Sequence, residues 1–321
     1  MTIVRIGFVA MSMELQNASP SQTMTFKQFS QIQNKEAGKR KLERIAKANL
    51  HNTLRILKHA VAHDIKFYRM TSRLIPLANH GELLDWDYIN PLTDELHEIG
   101  AFAAKHTMRL DFHPDHFVLI NSPKKEVLKN SIKTLQMHYK ILKKMRINTM
   151  HRCVMHVGGN YKETDTALER FIQNWAYVPV PLQEMIMLEN DDTSFTMSDA
   201  LYLCEKLAIP LVFDYHHHLA FHYDDNWMQH WPRVVETWKK SPLPLKMHIS
   251  SPKSEKQFRH HADFVDIEMF FHFLKEIKGS VDQIDCMIES KKKDMALFQL
   301  MREVKKRSDI EIIDQASFLL K

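Results

Sequence analysis

The chain has 321 residues, 44% of them hydrophobic and 26% charged, with a formal net charge of +5 and a pI of about 8.9. That is an ordinary globular composition, long enough for a large core, with a mild basic excess compatible with a polyanionic partner. No apolar stretch approaches the ~20 residues of a membrane span, and the N-terminus lacks the regions of a signal peptide, so cytoplasmic residence is expected.

Short apolar runs alternate along the chain with longer amphipathic ones. A strand is predicted over Ile3–Ala10, then a long Ser-, Gln- and Thr-rich loop over Asn17–Lys35 and a helix over Lys39–His63. Strand Lys66–Met70 leads through a loop at Leu74–Asp87 to helix Asn90–His106. The pairs that follow are Arg109–Phe112 with Lys124–Met145, Arg152–Val157 with Lys162–Ala176, and Met185–Leu188 with Met197–Leu207. Strand Pro210–Phe213 precedes helix Asn226–Lys239, and Leu245–Ile249 precedes a loop at Ser250–His261 and helix Asp263–Lys278. Ile284–Ile288 and Asp294–Lys306 complete the series.

Strands alternating with helices indicate βαβ units and a parallel sheet. Eight such units predict a closed (β/α)8 TIM barrel in one domain, with the barrel over roughly 1–307 and a C-terminal extension over 308–321. Cys153, Cys204 and Cys286 are widely spaced and form no CxxC pair. Reduced thiols are expected.

The chemistry lies at the strand ends. His80, His113, His156, Glu189, Asp214, His217, His248, His261 and Glu289 nearly all stand at or just past an apolar run. In a βα barrel those ends converge on one face, and imidazole plus carboxylate is a ligand set for Zn²⁺, Mn²⁺ or Fe²⁺. So many ligands exceed one ion, and the 20 histidines against 7 glycines agree with that. Glu189 and Glu289 close apolar strands and are suited to bridging two cations; the plainer reading is salt bridges to Lys246 and Lys291. His216 and His218 flank His217 and are read as packed or solvent-facing. In His156-Val-Gly-Gly159 the glycines would let backbone approach a ligand.

Lys246 shares a strand face with His248. It would be neutral, paired with a carboxylate, or carbamylated as a ligand. Arg69, Arg73 and Lys291–Lys293 lie on the same predicted face, where they could hold phosphates. No Walker loop, GxSxG or GxGxxG is present, so neither nucleoside triphosphate use nor serine hydrolysis has support.

Together the segments Arg5-Ile-Gly-Phe-Val, Phe67-Tyr-Arg-Met-Thr-Ser, His113-Pro-Asp-His-Phe, His156-Val-Gly-Gly, Leu188-Glu-Asn-Asp-Asp, Phe213-Asp-Tyr-His-His-His, Lys246-Met-His-Ile-Ser-Ser-Pro-Lys and Met287-Ile-Glu-Ser-Lys-Lys-Lys-Asp resemble the UV damage endonuclease family, TIM-barrel relatives of endonuclease IV. The resemblance runs from residue 5 to about residue 300. It implies a three-metal cluster, usually Mn²⁺ with Mg²⁺ or Zn²⁺ as alternatives. It also implies ATP-independent incision of double-stranded DNA 5′ to cyclobutane dimers, 6-4 photoproducts and abasic sites.

Carried over, the first metal would take His113, His156 and Glu189, and the second Glu189, Asp214, His248 and Glu289. The third would take His217 and His261, with His80 a nearby ligand or phosphate contact. Glu189, Glu289 and Lys246 would be the catalytic positions, and Lys246 matches a family lysine that can be carboxylated. Arg69, Arg73, Lys291 and Lys292 would contact DNA. His116 and Phe117 would probe the duplex, although the family usually has Gln where this chain has His116, which bears on lesion preference. The family also often places Asn after the first strand, where this chain has Met11-Ser-Met13. A monomer associated with the nucleoid is expected. The rivals are a metal-dependent sugar isomerase or epimerase on a similar barrel and a catalytically silent DNA-damage binding protein.

Overall fold

The computed structural model describes every residue except Leu84, inside the loop expected over Leu74–Asp87, and Asp225. In chain order the elements are β1 (Thr2–Val9), α1 (Phe26–Ser30), α2 (Lys35–Ala62), β2 (Phe67–Arg69), α3 (Thr93–Lys105), β3 (Arg109–Asp111) and α4 (Lys125–Lys144). Next come β4 (Cys153–His156), α5 (Thr164–Trp175), α6 (Val180–Gln183), β5 (Ile186–Glu189), α7 (Met197–Leu207), β6 (Leu211–Asp214), α8 (Tyr215–Ala220) and α9 (Trp231–Trp238). Finally there are β7 (Leu245–Ile249), α10 (Ile267–Ile277), β8 (Gln283–Ile288), α11 (Lys293–Val304), β9 (Ile310–Ile312) and β10 (Ser317–Leu320).

Strands β1 to β8 run parallel in the order β3-β2-β1-β8-β7-β6-β5-β4. The ring closes between β3 and β4 through a parallel bridge from Phe112 to Cys153, with Phe112 N–H donating to Arg152 O at 2.7 Å. The expected (β/α)8 TIM barrel is therefore the observed fold. Aliphatic and aromatic strand residues such as Val4, Ile6, Phe8, Leu110, Val154 and Leu188 are fully buried. They pack against helix faces that carry Leu50, Leu57, Ile141, Phe171 and Phe273, all at most 1% exposed. Alternation along a strand sends the remaining residues into the barrel.

Several elements differ from the sequence expectation, each for a local reason. The loop over Asn17–Lys35 contains α1, where Thr25 and Gln28 form a reciprocal capping box,. Helix α2 begins at Lys35 rather than Lys39 because Asn34 caps Ala37 N–H,. The helix expected over Asn226–Lys239 is a 3-10 turn at Trp227–Gln229 followed by α9, which restarts with Pro232 in its first turn,. The C-terminal extension is a β9–β10 hairpin, and β10 pairs antiparallel with the first half of β1, Thr2 opposite Leu320. All three cysteines are buried and free. Among the described residues no helix is long and apolar enough to cross a membrane.

Candidate metal centre and its flanking surface

Strand geometry brings the expected ligands together. Parallel register sets His156 beside Glu189 and Asp214 beside His248. Glu289 follows β8 directly, and its N–H donates to Ile249 O. The Asp214 carboxylate caps α8, accepting from His217 N–H at 2.7 Å, so the strand turns at once into a helix and His217 returns to the barrel mouth.

Glu189, fully buried, is the hub. Its Oε2 lies 3.1 Å from His113 Nε2 and 3.6 Å from His156 Nε2. Its Oε1 lies 2.9 Å from His248 Nδ1 and 3.5 Å from His217 Nδ1. Three ligand groups share this residue: His113 with His156, Asp214 with His217, and His248 with Glu289; within each group one ligand atom per residue falls within 4.8 Å of the others. His113 Nδ1–H donates to Pro114 O at 2.9 Å and His217 Nδ1–H to Asn190 O at 3.0 Å. Such bonds fix the ring and leave Nε2 with its lone pair, as metal-binding imidazoles require.

The electrostatics of the bare protein are strained in the way a cation would relieve. Burial, reinforced by Glu289, pushes the Glu189 carboxyl well above the usual carboxylate range. Burial opposes ionisation of Glu289 too, but Arg69 and His248 outweigh it and hold that carboxyl well below its ordinary value. Burial lowers His113 to about 4 and takes His156 and His248 well below 6.5. His217 goes the other way: burial is outweighed by Asp214 and Glu189, which raise it to about 9. Among the described residues Asp214 Oδ2 and His248 Nε2 are buried and find no hydrogen-bond partner, a costly arrangement. The neutral imidazoles of His113, His156 and His248, the clustered carboxylates and these two orphaned atoms fit divalent transition-metal ions,.

One layer deeper, the barrel is filled by charge. Lys246 Nζ lies 3.1 Å from Asp111 Oδ2, and Arg109 Nε donates to that oxygen at 2.9 Å. Arg109 also reaches Asp285 at 3.1 Å, which in turn takes both donors of Arg5 at 2.7 and 2.8 Å. Burial lowers Lys246 to about 8 against the pull of Asp111. Desolvation of Asp111 is outweighed by Arg109, Lys246 and Arg152, which bring its carboxyl to about 2. The salt bridges considered from sequence are thus re-partnered: Lys246 pairs with Asp111, and Glu289 pairs with Arg69.

Other expected residues stand around the rim. His261 donates from Nδ1 to Glu289 O at 2.9 Å, and its ring centre is 6.0 Å from that of His217. His80 stacks on Phe26 at 3.9 Å and lines a cavity of about 390 Å³ with Arg73 and Phe117. Among the described residues neither joins the three tight ligand groups. Arg69 is turned into the cluster, whereas Arg73 is 68% exposed on its side chain and 3.7 Å from Asp115. Lys291 is exposed and Lys292 half-buried beside the site. Phe117 is 71% exposed, with the His116 ring 4.0 Å away. A second cavity, about 370 Å³, is lined by His116 together with His113, His156 and Arg259.

His216 is buried and bonded at both nitrogens, to Ser250 Oγ and to Phe258 O, each at 2.7 Å. Gly158 lines the cavity that reaches His113 and His156, and the turn there also demands glycine. Its φ is +127°, and a Cβ there would collide with Asn121 Oδ1, so glycine is required by the turn itself,. Sequence reading missed Asn190, whose amide exchanges 2.9 Å bonds with the Asp214 backbone and clamps β5 to β6. It also missed Arg5, Arg109, Asp111 and Asp285, although the two-residue spacing of Arg109, Asp111 and His113 on one strand face was a usable signal.

The UV-endonuclease UvdE family model matches residues 4–318. The chain is 51% identical over 315 residues to the UV DNA damage endonuclease of Halalkalibacterium halodurans, covering 98% of each chain. It is 41% identical over 301 residues to that of Bacillus pumilus, covering 94% of this chain and 93% of the other. Among solved structures, SacUVDE superposes with a TM-score of 0.82 at 27% identity, over 94% of this chain and 98% of the other. Endonuclease IV from Thermus thermophilus shares the fold, with a TM-score of 0.58 at 11% identity over 94% and 100%.

Proposed function

Because this chain belongs to the UV-endonuclease UvdE family, we propose that its strand-end cluster hydrolyses one backbone phosphodiester of damaged double-stranded DNA, 5′ to a cyclobutane dimer, a 6-4 photoproduct or an abasic site. The observation that carries the reading is Glu189, one buried carboxylate common to three ligand groups. It supports a three-ion cluster of Mn²⁺, with Mg²⁺ or Zn²⁺ as alternatives. His113, His156, Asp214, His217, His248 and Glu289 complete the groups, and His261 and His80 serve from the rim. These residues would hold the ions, which would supply a lowered pKa for an attacking water and charge to offset that on the phosphate.

The protein supplies the rest. Arg73, Lys291 and Lys292 hold flanking phosphates, a sequence-independent attraction that weakens with salt. Arg69 sits on Glu289 and keeps that carboxylate ionised and oriented toward His248. His116 and Phe117 enter the duplex from the rim, and the cavities that they line accept displaced bases. Unstacking costs a few kcal/mol, and less where pairing is already weakened, so selection rests on deformability. His116 in the usual Gln position keeps a hydrogen-bonding edge and adds an aromatic face to the probe. Lys246 either holds Asp111 as its cationic partner or, carboxylated, extends the anionic set upward. No nucleotide cofactor takes part, and the enzyme works as a monomer on the nucleoid in the cytoplasm.

The test is incubation with UV-irradiated and untreated supercoiled plasmid, with Mn²⁺ and with chelator, followed by mapping of the cut beside a defined lesion. Nicking confined to irradiated plasmid, abolished by chelator and mapped to the 5′ side is expected. Equal nicking of both plasmids, or cleavage on the 3′ side, overturns the reading.

A further inference from the structure

A second group of ligand-type side chains lies outside the cluster, where the loop after β1 meets the end of α2 and the start of α11. His59 and His63, four residues apart at the end of α2, present imidazoles on one helix face with ring centres 4.5 Å apart,. Glu14, from the loop after β1, adds a carboxylate, and one ligand atom each from Glu14, His59 and His63 lies within 4.8 Å of the others. Asp294, fully buried in the first turn of α11, places Oδ2 3.2 Å from His59 Nε2, and Glu14 Oε2 is 3.9 Å from the same nitrogen.

The hydrogen bonds leave these groups poised as donors of lone pairs. His63 Nδ1–H donates to His59 O at 2.9 Å, which keeps Nε2 unprotonated in the neutral ring,. The side chain of His59 is nine-tenths buried, and its Nε2, although close to Asp294, lacks hydrogen-bond geometry to it. Asp294 is held in place by Met13 N–H at 2.7 Å, Met295 N–H at 3.0 Å and the Ser12 hydroxyl. Beside the group a cavity of about 290 Å³ opens past Glu14, His63 and Phe298, with Arg302 and Lys305 on its rim.

We infer that Glu14, His59 and His63 form a peripheral site for one divalent transition-metal ion, best matched by Zn²⁺. Two imidazoles and one carboxylate, completed by water, make the nitrogen-and-oxygen set that Zn²⁺ adopts, whereas Mg²⁺ and Ca²⁺ favour oxygen throughout. Glu14 and the neighbouring Asp294, 3.2 Å from His59 Nε2, balance the ion's charge. The three ligands come from two chain segments, so the ion ties the loop after β1 to the end of α2 on the flank of the barrel. None of the three belongs to the catalytic cluster.

Zn²⁺ itself is the probe. Metal content after desalting and calorimetric titration are measured on the full chain carrying Glu189→Gln and Glu289→Gln, which disables the catalytic cluster, and on the unaltered chain. One bound equivalent is expected to disappear from either background when His63→Ala is added, and likewise with Glu14→Ala. The thermal shift that Zn²⁺ produces in the cluster-disabled protein should disappear with it. In the unaltered chain His63→Ala should leave the circular dichroism spectrum and Mn²⁺-dependent nicking unchanged. Zn²⁺ stoichiometry and thermal shift that are the same with and without both His63→Ala and Glu14→Ala overturn the site.

Discussion

Glu189→Gln separates what the cluster does for chemistry from what it does for the fold. The substitution keeps volume and shape but removes the one anionic centre within reach of His113, His156, His217 and His248. In the metal-free protein this carboxyl is already pushed up by burial and by Glu289, so an uncharged amide replaces a group that favours its uncharged form. The metal-free variant should therefore unfold at the same temperature as the parent or slightly above it. With metal the order reverses. A group that binds only the folded state stabilises it by about 4.1 kcal/mol at a thousandfold excess over Kd, and losing the shared ligand should remove most of the Mn²⁺-induced rise in Tm. Loss of a single preorganised charge-stabilising group costs roughly 10²–10³ in rate; because Glu189 serves three ligand groups, nicking of irradiated plasmid should fall by at least about the upper figure. Thermal unfolding with and without Mn²⁺, run beside the nicking assay, reads both effects. A variant that keeps the full Mn²⁺-induced rise and nicks within about tenfold of the parent would refute the reasoning.

Phe117→Ala should weaken binding to lesion-bearing duplex by about 1–3 kcal/mol per stacked base with metal content unchanged; a loss of metal with binding intact would remove the wedge role. Asp111→Ala strands the buried Lys246 charge, while Arg109 keeps Asp285, and should lower stability by about 3–5 kcal/mol, seen as a lower urea midpoint that Lys246→Met partly restores. His138 is fully buried on Phe112, neither ring nitrogen has a hydrogen-bond partner among the described residues, and burial lowers it to about 3 from 6.5. Its neutral form is favoured by folding, so its contribution is complete above about pH 6.5 and declines as pH falls from there toward 3. His138→Leu should flatten that part of the stability profile, and an unchanged acid slope would contradict the assignment.

Much of this molecule was legible without coordinates, because period and position are local. Alternating apolar runs and amphipathic segments determined a parallel barrel, since strands buried on both faces need apolar residues and their crossovers need one-sided helices. A strand that ends in Glu189 or Asp214 already says that the polar group sits at the barrel mouth. Partnership, in contrast, is a long-range property. That Lys246 meets Asp111 across 135 positions, and Glu289 meets Arg69 across 220, depends on how the strands tilt and stagger around the ring,. The same holds for His59 and Asp294, which no spacing in the chain connects. The terminal residues looked surplus because their pairing partner, β1, lies at the other end of the chain. Which residues carry charge at strand ends is written locally; which of them share a proton, an ion pair or a metal is decided only when closure of the barrel sets the distances.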